Sequence, residues 1–266
     1  MSLTRALFRL YFQYRLRQID RFRRNPIAVQ AAQLEARLRA GRRTTFGKAF
    51  GLDKVRTYAE FQAAVPAFDY EAFKPWIERG LQGEESVFAP GRVAFYARSS
   101  GTTADRSKYI PITPHSIFWN HTLGMRDAMA LYLDAYPQSK ALDGKTLTLG
   151  GTCAPEGINL VGDLSGIVLH ETARWGASLR TPDVSVALLP DFEQKIQVIA
   201  ERCTKERVTA FAGVPSWNLE LMRRVLAHTG KANLLEVTFS RHHLRSQWLR
   251  SRAFSRIDSL NSWLIE

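Results

Sequence analysis

From Arg92 onward, strand signals and helix signals take turns along the chain, and this alternation restricts the fold more than any other feature of the sequence. The apolar, aromatic run Arg92–Ala97 reads as a strand. Thr113-Pro114 supplies an N-cap and a first-turn proline for a long helix towards Tyr136, with Pro137 as its stop. Lys145–Leu149 is the next strand and ends at Gly150-Gly151. Asp191–Arg207 is a helix, Val208–Val214 a strand, and Pro215-Ser216 opens a helix that runs to Gly230. Strands alternating with helices give an α/β fold, with ligands expected at the carboxyl ends of the strands.

Helices precede this alternation. Leu3–Arg24 sets Leu7, Leu10, Tyr11, Tyr14, Ile19 and Phe22 near one helical stripe with most Arg on the other face, and Asn25-Pro26 ends it. A second helix runs from Ile27 to Arg43, and Gly47 and Gly51 break the chain after it. Tyr58–Val65 and Tyr70–Leu81 read as short helices, the latter capped by Asp69. The expected class is therefore α/β, with N-terminal helices followed by strand-helix alternation around a mixed sheet. An Arg-rich, acid-poor start also has the composition of a mitochondrial presequence, but the aromatic density of its stripe favours a helix docked on its own domain.

Charge narrows the function classes. The net charge of +12 belongs to the ends: residues 1–45 hold 11 Arg against Asp20 and Glu35, residues 238–266 hold 5 Arg against Asp258 and Glu266, and residues 46–237 are neutral. A neutral middle offers no continuous basic groove for nucleic acid, although basic ends suit phosphates or an acidic membrane surface. No apolar run approaches the roughly 20 residues that span a bilayer. Cys153 and Cys203 suggest neither a disulfide framework nor a metal site, so the cytoplasm is the expected compartment. His170 and the pair His242-His243 read as structural or surface residues, since Glu171 is the only acid adjacent to any of them.

Chemistry concentrates after the first strand, in Ser99-Ser100-Gly101-Thr102-Thr103 with Lys108 and Pro111 beyond. Glycine lets the backbone approach a ligand, successive N–H groups in such a turn form an anion-binding concavity, and the hydroxyls add rotatable donors. Lys108 brings a mobile ammonium to the same oxygens. The same residue types also make ordinary surface loops. Lys does not directly follow a glycine, so the segment is not a Walker loop.

Ser99-Ser100-Gly101-Thr102-Thr103 with Lys108-Tyr109-Ile110-Pro111 resembles the first nucleotide motif of the adenylate-forming superfamily of acyl-CoA synthetases and firefly luciferase. Thr45-Phe46-Gly47-Lys48, Val65-Pro66 with Asp69-Tyr70, Lys74-Pro75-Trp76-Ile77-Glu78-Arg79, Leu164-Ser165-Gly166-Ile167 and Gly213-Val214-Pro215-Ser216-Trp217 are similar to bacterial members of the auxin-responsive promoter family. Those are acyl acid-amido synthetases. The resemblance implies attack of a carboxylic acid on the α-phosphate of ATP-Mg²⁺, departure of pyrophosphate, and transfer of the acyl group to an amino acid amine. It implies that Ser99, Ser100, Gly101, Thr102, Thr103 and Lys108 hold ATP phosphates. Arg126 is a candidate for the acyl carboxylate, through the bidentate fork that arginine offers, or else a solvated helix charge. Val214 and Trp217, where a strand gives way to a helix, are candidate pocket walls or core residues. An acyl-CoA ligase and a non-catalytic basic binding protein are the alternatives.

The resemblance runs from about residue 1 to Val237. No match to the family's second motif is present, and Gly162-Asp163 comes too early to be the third. Residues 1–237 are thus expected to be the amino-terminal half of an adenylating domain, without the carboxyl-terminal lid and inactive alone. Thr238–Glu266 contains no Gly or Pro and is crowded with Ser, Arg and Leu, which reads as a shifted frame or an interrupted gene. The competing reading is an amphipathic helical end, since Leu249, Ala253, Ile257, Leu260 and Leu264 recur at helical spacing.

Overall fold

A computed structural model of the chain describes residues 3–99, 107–203 and 205–229. The basic tail from Thr238, His242-His243 and the tail's Leu stripe lie outside the described residues. The chain forms two compact units, residues 1–134 with 151–171, and residues 135–150 with 172–266.

The first unit begins with the helices α1 (Leu3–Arg24), α2 (Pro26–Gly41), α3 (Thr45–Ala49), α4 (Tyr58–Ala64) and α5 (Tyr70–Leu81). Local chemistry sets their starts. Pro26 occupies the first turn of α2, the Thr44 hydroxyl accepts from Gly47 N–H at 2.9 Å, Thr57 and Glu60 form a reciprocal capping box, and Asp69 accepts from Ala72 N–H at 2.8 Å. The buried face of α1 carries Phe12 and Arg15, while Leu10 and Tyr14 of the expected stripe are exposed. The Arg15 guanidinium, raised in pKa first by its hydrogen bonds to Asp127, turns a charged residue inward and sets that face.

Strands β1 (Phe95–Arg98), β2 (Tyr109–Ile112), β4 (Cys153–Glu156) and β5 (Asn159–Gly162) form one sheet in the order β2-β1-β5-β4. β1 is antiparallel to β2 and parallel to β5, and Gly157, at φ +57, turns the β4–β5 hairpin. Alternation along β1 places Tyr96 on one face with Ile77 of α5 and Val161, and Ala97 on the other with Ile112, Ile117 and Ile167. The long helix opens at the Thr113 cap as α6 (Pro114–Ser116), continues through a π-helical stretch, Ile117–Thr122, and becomes α7 (Leu123–Ala135). Helix α8 (Leu164–Gly176) follows β5.

The second unit is built on a separate sheet, β6-β3-β7, of parallel strands β3 (Lys145–Leu149), β6 (Arg180–Thr181) and β7 (Val208–Gly213). The expected mixed sheet is thus two sheets. Helices α9 (Val184–Ala187), α10 (Phe192–Cys203) and α11 (Pro215–Thr229) complete the unit. Leu147, Leu149, Ile196, Ile199, Val208, Leu221 and Val225 form its core. Lys195 of α10 is also buried and donates from Nζ to the Gly150 carbonyl at 3.1 Å, which satisfies one of its N–H donors.

Candidate functional site

Ser100, Gly101, Thr102 and Thr103 lie outside the described residues, but the two ends of their segment are well defined. The antiparallel register pairs Arg98 with Tyr109. One step further on, Ser99 N–H donates to the Lys108 carbonyl and Lys108 N–H donates to Ser99 Oγ, both at 3.0 Å. This reciprocal pair closes the neck of the segment, so Ser99 and Lys108 leave the sheet side by side.

Neighbouring groups brace that neck. Tyr109 N–H donates to the Tyr70 hydroxyl at 2.9 Å, and the Lys108 ammonium lies 5.1 Å from the centre of the Tyr70 ring. Arg98 donates to Tyr109 Oη at 3.1 Å and pairs with Glu156, while the Tyr109 hydroxyl donates to Glu156 Oε1 at 2.7 Å. Those contacts, Tyr109 first, raise the Arg98 pKa. Both Arg98 and Lys108 are exposed, but Arg98 is paired with Glu156, whereas among the described residues Lys108 has no carboxylate partner.

Parallel pairing of Ala97 with Gly162 brings the start of α8 to the same end of the sheet. Thr152 N–H donates to Asp163 Oδ2 at 3.1 Å, Asp163 N–H to the Thr152 carbonyl at 2.8 Å, and Gly151 N–H to Ser165 Oγ at 2.8 Å. A Cβ on Gly162 would stand 2.2 Å from the Thr152 carbonyl oxygen, so only glycine permits this approach. Ser99 and the start of α8 thus follow neighbouring parallel strands at the same end of the sheet, the place where α/β sheets bind ligands.

The other sequence candidates fall elsewhere. Arg126 is half-buried on α7, donates to the Tyr11 hydroxyl at 3.3 Å and lies 5.7 Å from that ring's centre. It is neither freely solvated nor beside the Ser99–Lys108 neck by any described contact. In the second unit, Val214 is exposed at the end of β7, and Trp217 packs on the core with its ring 5.2 Å from Phe192. The Asn218 side-chain oxygen, one residue on, is buried with no hydrogen-bond partner among the described residues. Tyr70, which contacts both Tyr109 and Lys108, is not among the sequence candidates and appears there only in the family-like pair Asp69-Tyr70.

The model of the GH3 family N-terminal domain matches residues 15–199. An indole-3-acetic acid-amido synthetase of Arabidopsis thaliana, GH3.2, is 30% identical over 130 residues, 48% of this chain and 24% of that protein. A second, GH3.8 of Oryza sativa subsp. indica, is 30% identical over 148 residues, 53% of this chain and 24% of that one. Among solved structures, the GH3.15 acyl acid amido synthetase superposes with a TM-score of 0.58 at 20% identity, covering 76% of this chain and 36% of its own, which supports the fold. The chain thus spans about a quarter of the curated relatives' length. With more than half of its residues matched, the chain belongs to the GH3 family and carries that family's N-terminal domain.

Proposed function

We propose that this chain carries the first phosphate-binding segment of an ATP-dependent acid-amido synthetase, in which a carboxylic acid is activated as an acyl-adenylate and passed to an amino acid amine. The observation that carries the reading is the closed Ser99–Lys108 neck at the carboxyl end of the parallel β1–β5 pair. Ser99 through Thr103 would supply hydroxyl and backbone donors to the phosphates, and Lys108 a point charge. ATP supplies the leaving pyrophosphate, and the chain's residues hold its oxygens where charge builds. Mg²⁺ would arrive on the nucleotide's own phosphates, since this ion is commonly held by substrate phosphates with one or two carboxylates. Arg126, Val214 and Trp217 remain candidate contacts to the acid. Residues 1–237 are the proposed amino-terminal half of the adenylating domain, acting in the cytoplasm.

The test is calorimetric titration of the 266-residue chain with ATP-Mg²⁺, followed by pyrophosphate release with a panel of carboxylic acids. Binding that weakens at least about tenfold in a Ser100→Ala/Thr103→Ala variant is expected; no binding by the wild type overturns the reading. Background pyrophosphate release is expected of these residues alone, and robust release would overturn that part. Should release occur, dependence on an amino acid rather than coenzyme A separates the amide-forming reaction from acyl-CoA ligation.

A further inference from the structure

We infer that Tyr70 is a positioning residue for Lys108, acting on the nucleotide phosphates only through that lysine; this rests on the phosphate-site reading above. Tyr70 is the first residue of α5, and the Asp69 cap fixes where that helix starts. Its ring packs half-buried against the cluster of Ile77, Val93, Tyr96 and Val161, so it is anchored from below. From this anchor it makes two different contacts to the same stretch of β2. The hydroxyl accepts from Tyr109 N–H at 2.9 Å, which fixes the backbone just after Lys108, and the ring face meets the Lys108 ammonium at 5.1 Å.

The neck fixes the lysine backbone from the other side, through the two 3.0 Å bonds to Ser99. What remains free is the four-carbon stem, whose rotamer entropy opposes any fixed contact. A ring face beside the ammonium lowers that freedom while the side chain stays exposed to solvent. No carboxylate is needed for this, and among the described residues none pairs with Lys108. A carboxylate partner would neutralise the charge that phosphate requires; an aromatic face holds the charge and keeps it.

A double-mutant cycle tests this, with inorganic tripolyphosphate and ATP-Mg²⁺ as probes and calorimetric Kd as the readout, on folded variants checked by circular dichroism. Lys108→Ala is expected to weaken binding about tenfold, and Tyr70→Leu about two- to five-fold, the range of an exposed cation–π contact. In the Lys108→Ala background, Tyr70→Leu should have no further effect, because its only route to the phosphate is gone. Tyr70→Phe keeps the ring and should retain most of the affinity, which also covers the case in which Tyr70→Leu does not fold. Equal losses from Tyr70→Leu in both backgrounds, no loss in the wild-type background, or tighter binding each overturn the positioning role. An unchanged Kd in Lys108→Ala overturns it too. Absence of binding by the wild-type chain overturns the phosphate site itself, and this role with it.

Discussion

Arg15 of α1 and Asp127 of α7 meet in a bidentate pair, Nε to Oδ1 and Nη2 to Oδ2, each at 2.8 Å. Both side chains are largely withdrawn from solvent, at 10% and 23% exposure, so either charge alone would be poorly solvated. Asp127→Ala should lower stability by about 3 kcal/mol, because it leaves the Arg15 guanidinium buried without its partner. The exposed Arg23–Asp20 pair on the same helix gives the contrast, and Asp20→Ala should change stability by less than about 0.5 kcal/mol. Urea unfolding of the two variants measures the difference, and comparable losses would remove the argument.

Tyr96 is fully buried, and its hydroxyl has no hydrogen-bond partner among the described residues. Burial pushes its pKa up to about 12. The unfolded chain ionises this phenol near 10. Its contribution to stability is therefore intact below pH 10 and is lost between pH 10 and 12, as the unfolded state gives up the proton first. Tyr96→Phe removes both the unpaired hydroxyl and this titration. The variant should match or exceed the wild type at pH 8, and its advantage should grow by up to about 1.4 kcal/mol per pH unit above 10. Denaturant midpoints for both proteins at pH 8 and pH 11 decide it; an advantage that does not change with pH counts against the assignment.

Gly47 belongs to a segment that reads as a family signature, yet its role in the structure is packing. A Cβ there would stand 1.9 Å from the Gly41 carbonyl oxygen, a backbone atom that cannot swing away. Gly47→Ala should destabilise by about 2–4 kcal/mol. Phosphate affinity measured on the folded fraction should be unaltered, and a selective loss of affinity at full stability would make Gly47 a site residue instead.

The two thiols should separate under alkylation. Cys203 is buried, donates weakly to the Ala200 carbonyl at 3.3 Å, and burial pushes its pKa up to about 11. Cys153 is only partly buried, with a pKa raised chiefly by desolvation and then by Asp163. With iodoacetamide at pH 8, Cys153 should react slowly and Cys203 not at all until the chain is unfolded. Mass spectrometry of native and denatured samples reads this out.

Most helices were legible because their caps are written locally, as at Asp69, Thr113 and Pro26. Strands β2, β4, β5 and β6 were not: β5 and β6 are only four and two residues long, and β2 and β4 each contain a proline, Pro111 and Pro155, which a central strand would reject. Strands β2 and β4 lie at the edges of their sheet, where the missing donor faces no neighbour. Without them the sequence reads as one sheet rather than two. The Ser99–Lys108 segment stands out in the sequence by its hydroxyls and glycine, whereas Tyr70 does not, because its contacts to Lys108 and Tyr109 arise only once α5 is packed against the sheet.

The chain passes from the first unit into the second at residue 135, returns at residue 151, and leaves again at residue 172. During synthesis, β3 therefore emerges with neither of its partners, since β6 and β7 lie further along the chain. Its apolar residues Leu147 and Leu149 must wait while the whole β4–β5 hairpin and α8 are made. The first unit can close on the ribosome as soon as residue 171 is out, but the second cannot begin its sheet until Arg180 arrives. The crossing of the connections thus orders the strands along the chain, with β1, β2, β4 and β5 all made before the β6-β3-β7 sheet has its partners.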